Sequence, residues 1–171
     1  SVRPMLLTFI PDLLQSGKNI QYSFELYEEL IDAWCQRESH WVYPEKLRHF
    51  SERVAVDLFI KRAERSAERI PRTELLQLAN EWDVPLDEWQ ITGRSLLNRD
   101  ADGNFKFAHR SIMEYLFIRC DTSNLEYKWT QGTLTDQMAS FMREMIEAQR
   151  LELLKNLPGA DLQNLDFGSA D

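Results

Sequence analysis

The stretch Asn104–Tyr115 reads NFKFAHRSIMEY. It holds the residues of this chain whose types and spacing suit chemistry. His109 sits where an alternating apolar pattern, Phe105-Lys106-Phe107, gives way to a helical one. An imidazole at such a junction has two roles open to it. It can hydrogen-bond within the domain core. It can also hold an anion, because free N–H groups at a helix N-terminus favour negative charge and an imidazole donates a further bond to a phosphate. Arg110 adds positive charge to the second role. Against it, Ser111-Ile-Met-Glu114 fits the S-x-x-E capping box, which would use one or two of those N–H groups itself.

Other chemistry lacks its residues. The six glycines contain no G-x-x-x-x-G-K-[ST] phosphate loop, and no G-x-S-x-G elbow is present. His40, His49 and His109 fit neither H-E-x-x-H nor a Cys/His zinc spacing. Asp100, Asp102 and Asn104 resemble calcium ligands only superficially. Glycine is not sixth, and the twelfth position is Ser111 rather than glutamate. A turn explains them better. No catalytic residue and no metal site is expected.

Composition narrows the class. The 171 residues are 43% hydrophobic and 28% charged, as in a soluble globular protein. The net charge of −8 repels phosphate backbones and argues against nucleic-acid binding. No apolar run approaches the ~20 residues that span a bilayer. The N-terminus has no signal-peptide pattern. Cys35 and Cys120 lie in apolar helical contexts and read as reduced, buried thiols of a cytoplasmic protein.

The elements that position His109 follow from periodicity. RPMLLTFIPDLL, residues 3–14, reads as a helix with Pro4 in its first turn and a kink at Pro11. A second helix spans about Ser23 to Glu38, with Leu26, Tyr27, Leu30, Ile31, Trp34 and Cys35 on one face. A third starts near Tyr43-Pro44 and carries Leu47, Phe50, Val54, Leu58 and Phe59. Its end, Lys61 to Arg69, is polar and reads as a solvated face. Pro71-Arg72-Thr73 opens a fourth helix with Thr73 as N-cap. Further helical turns run through Trp89 to Gly93. Ser95–Asp100 and Phe105–His109 flank Asp102-Gly103, the signature of a β-hairpin. Ser111 to Cys120 is helical. Thr135 to about Asn156 is a long helix with an apolar stripe of Met138, Phe141, Met142, Met145 and Ile146. The tail PGADLQNLDFGSAD has a five-residue period, with Ala160, Leu165 and Ala170 in one phase and Leu162 and Phe167 in another. That suits the start of a square-sectioned β-solenoid, whose stack needs further repeats beyond Asp171.

The expected fold is mainly α: a helical bundle, a winged-helix-like domain with one β-hairpin, and the start of a pentapeptide-repeat β-solenoid. The expected boundaries are residues 1–70 for the helical domain and 71–120 for the winged-helix-like domain. Residues 121–157 form a linker with the long helix, and 158–171 the repeats.

SLLNRDADGNFKFAHRSIMEYLFIRC resembles the winged-helix segment of NACHT-type STAND nucleotide-binding switches. In that family an F-x-H-x-[ST]-[FIL]-x-E-[YF] stretch follows the wing, here Phe107-Ala-His109-Arg-Ser111-Ile-Met-Glu114-Tyr115. The opening RPMLLTFIPDLL resembles the helical segment after that family's nucleotide-binding core. The five-residue repeat resembles the pentapeptide-repeat sensors behind some bacterial members. The resemblance implies that His109 contacts the β-phosphate of ADP in the intact protein and holds a closed, resting state, with Arg110 in a lesser role. It also implies a non-catalytic regulatory segment. Lacking Walker A and Walker B, the chain would be no enzyme and would hold no cofactor alone; ADP or ATP would belong to the parent ATPase. Its partner would be the nucleotide-binding domain of the same polypeptide. The alternatives are a winged-helix DNA-binding module, with Arg99, Lys106 and Arg110 facing a duplex, and a protein-interaction scaffold built on the TDQMASFMREMIEAQ helix.

Overall fold

The computed structural model describes residues 17, 19–83, 87, 90, 96–120 and 134–155. The opening helix, the turns before Gly93 and the five-residue repeat lie outside the described residues, apart from Asp87 and Gln90. Among the described residues, five helices and three short strands run in the order α1 (Ser23–Arg37), α2 (Pro44–Ile60), β1 (Ile70–Pro71), α3 (Arg72–Glu81), β2 (Leu97–Arg99), β3 (Asn104–Phe107), α4 (Arg110–Arg119) and α5 (Asp136–Lys155). The protein is mainly helical, with one small antiparallel sheet of order β1-β3-β2.

Local chemistry starts three of these helices. The Glu25 carboxylate accepts from the N–H groups of Gln21 at 2.7 Å and Tyr22 at 3.1 Å, meeting donors at the entry to α1. Pro44 opens α2, where a missing N–H is harmless. Thr135 Oγ1 accepts from the Met138 N–H at 3.1 Å before α5.

Leu47, Phe50, Val54 and Leu58 place one face of α2 wholly inside the core. Burying each such side chain contributes roughly 1.5–3 kcal/mol. Phe59 of α2 meets Phe117 of α4 with ring centroids 4.7 Å apart. Tyr27 of α1 stacks on Tyr115 of α4 at 5.8 Å, and Phe141 of α5 lies edge-on to both rings. One cluster of buried side chains therefore runs from Leu30 to Phe141, across the 70/71 position that the sequence marks as a boundary. Neither cysteine forms a disulfide and both are buried. Burial pushes the Cys35 thiol up to about 12, against a smaller downward pull from Arg48.

Several expectations need correction. The polar run after α2 is not helical: α2 ends at Ile60, and Ser66 takes a positive φ of 56°. Its charge is engaged in part: Arg65 binds both Asp57 and Glu74 and Lys61 pairs with Asp57, while Glu64 and Arg69 are exposed. The fourth helix begins at Arg72 with Pro71, not Thr73, as N-cap. Pro71 also ends a two-residue strand, β1, that sequence patterning does not signal. In α5 the apolar stripe faces the core through Met145, which packs against the buried cluster, but not at Ile146. Met138 and Phe141 are buried, whereas Ile146 is 62% exposed.

Candidate functional site at the β3–α4 junction

The hairpin delivers His109 to its position. Asp100 Oδ1 accepts from the N–H groups of Asp102 at 3.0 Å and Asn104 at 2.9 Å. Gly103 supplies the positive φ, 86°, that closes the turn. Partial desolvation pushes the Asp100 carboxyl upward. The two N–H donors, with Arg69 and Lys106, outweigh it and hold the pKa below the ordinary value. These contacts put the Asp100 carboxylate to use within the turn. β3 then pairs with β2 on one side and β1 on the other, so that Phe105 and Phe107 point inward.

His109 is the N-cap of α4, in extended conformation with φ −137° and ψ 137°. Its carbonyl accepts from the Ile112 N–H at 3.2 Å. The imidazole makes no capping hydrogen bond. Its Nε2 is enclosed by protein yet has no hydrogen-bond partner among the described residues. The expected capping box is absent. Because β3 leads directly into a helix that starts at Arg110, Ser111 lies inside the first turn rather than at the cap. Glu114 is then four residues from Arg110 and pairs with it, Nε to Oε1, at 3.4 Å.

Arg110 is also held by Glu68, Nη2 to Oε1, at 3.0 Å. Two carboxylates thus match the charge that the sequence reading offers to an anion. Arg69 is matched in the same way by Asp100 at 3.3 Å and Asp102 at 3.7 Å. Glu68, Arg69, Lys106, Ala108, Arg110 and Met113 wall an open cleft of about 290 Å³ beside the junction, and His109 does not line it. Residues 68 and 69 reach this place through the turn-rich segment after α2. The run of alternating charges gives no sign of that in the sequence. Among the described residues no three His, Cys, Asp or Glu side chains converge as metal ligands would, and no helix is long and apolar enough to cross a membrane.

No family model, curated protein or solved structure matches the chain.

Proposed function

We propose that this chain is a non-catalytic regulatory segment of a STAND-type signalling ATPase, in which a winged-helix-like unit presents His109 to nucleotide held by another domain of the same polypeptide. Support comes first from topology. A helix, a short strand, a second helix and a hairpin, with β3 central in the sheet, support the winged-helix-like reading.

The observation that carries the proposal is the unpaired His109 Nε2 at the first turn of α4. Enclosing a polar atom without a partner costs about 1–3 kcal/mol. Rotation of the ring onto a phosphate oxygen relieves that cost and gives nucleotide a differential hold on one conformation. The group fits a phosphate as donor when Nε2 carries the proton. Arg110, bound between Glu68 and Glu114, orients the first turn and contributes little net charge. In this reading ADP or ATP belongs to the intact protein, and a C-terminal repeat sensor would receive the signal.

His109→Ala, made in the polypeptide carrying the nucleotide-binding domain, is expected to cut co-purified ADP at least tenfold, about 1.4 kcal/mol of lost hold. Bound nucleotide is measured after denaturation by chromatography. An ADP content equal to that of the unmodified protein sinks the assignment. DNA binding has less support, because the wing tip carries Asp102, with a side chain 76% exposed, and Asp100 beside Arg69.

A further inference from the structure

We draw no further inference here: the strongest candidate, the outer face of α5 on which Ile146 is 62% and Leu153 64% exposed, is an open apolar surface, and nothing in the structure shows what covers it.

Discussion

Tyr115 buries its hydroxyl where α1, α4 and α5 meet, and that oxygen has no hydrogen-bond partner among the described residues. Its ring, by contrast, is well used, against Tyr27 and Phe141. The two halves of the side chain therefore pull in opposite directions. Tyr115→Phe keeps the ring contacts and removes an enclosed polar group whose burial costs about 1–3 kcal/mol. The expected outcome in urea denaturation is a midpoint unchanged or raised, equivalent to as much as about 1 kcal/mol. A fall of that size would mean that the hydroxyl is hydrogen-bonded in solution. His109 Nε2 shares the predicament at the other end of α4. The sequence locates His109, because the change from a two-residue to a helical period falls on that residue. It does not locate the ion pairs around it. Glu68 and Arg110 are 42 positions apart, and only the fold brings them to 3.0 Å.

Elements with strong local signals are legible in advance. The hairpin follows from Asp102-Gly103 and the alternation of Phe105 and Phe107, and α1 from its single wide apolar face. β1 is not legible, because two residues ending in proline show no period at all; tertiary pairing with Asn104 and Phe105 makes it a strand. The end of α2 is misjudged because charged residues at i,i+4 spacing look helical whether or not the backbone continues. The capping box fails for a related reason. Ser111 and Glu114 have the right spacing, but the helix starts two residues too early for Ser111 to cap it. A cap that the sequence does not announce comes from α5. Glu144 accepts from Ser23 Oγ at 2.8 and 2.9 Å and from the Phe24 N–H at 3.0 Å, closing the N-terminus of α1 from 120 positions away. Glu144→Ala should cost about 1 kcal/mol. It should also speed hydrogen exchange at Phe24 and through the first half of α5 while α2 stays protected. Uniform exchange across all three helices would show that the contact does not hold α5 in place.

At the scale of the molecule, the buried cluster is continuous, and Arg48 binds Glu28 and Asp32 of α1 as well as Glu52 of α2, while Arg119 of α4 reaches the same Glu28 at 3.2 Å. The described helices are thus expected to melt together. Phe141→Ala empties a fully buried site between α1 and α4 and should lower stability by roughly 3–5 kcal/mol. Thermal unfolding should still be one transition, whether followed by helical circular dichroism or by aromatic fluorescence. Two separated transitions would show that α5 unfolds as its own unit.

The order β1-β3-β2 leaves β1 at one rim of the sheet, and its second residue is Pro71. An imino acid offers no hydrogen to an incoming backbone, and a rim two residues long gives a newcomer almost nothing to zip along. Growth of the sheet by recruiting strands from other molecules is blocked on that side. Crowding many copies together should not seed fibrils through it.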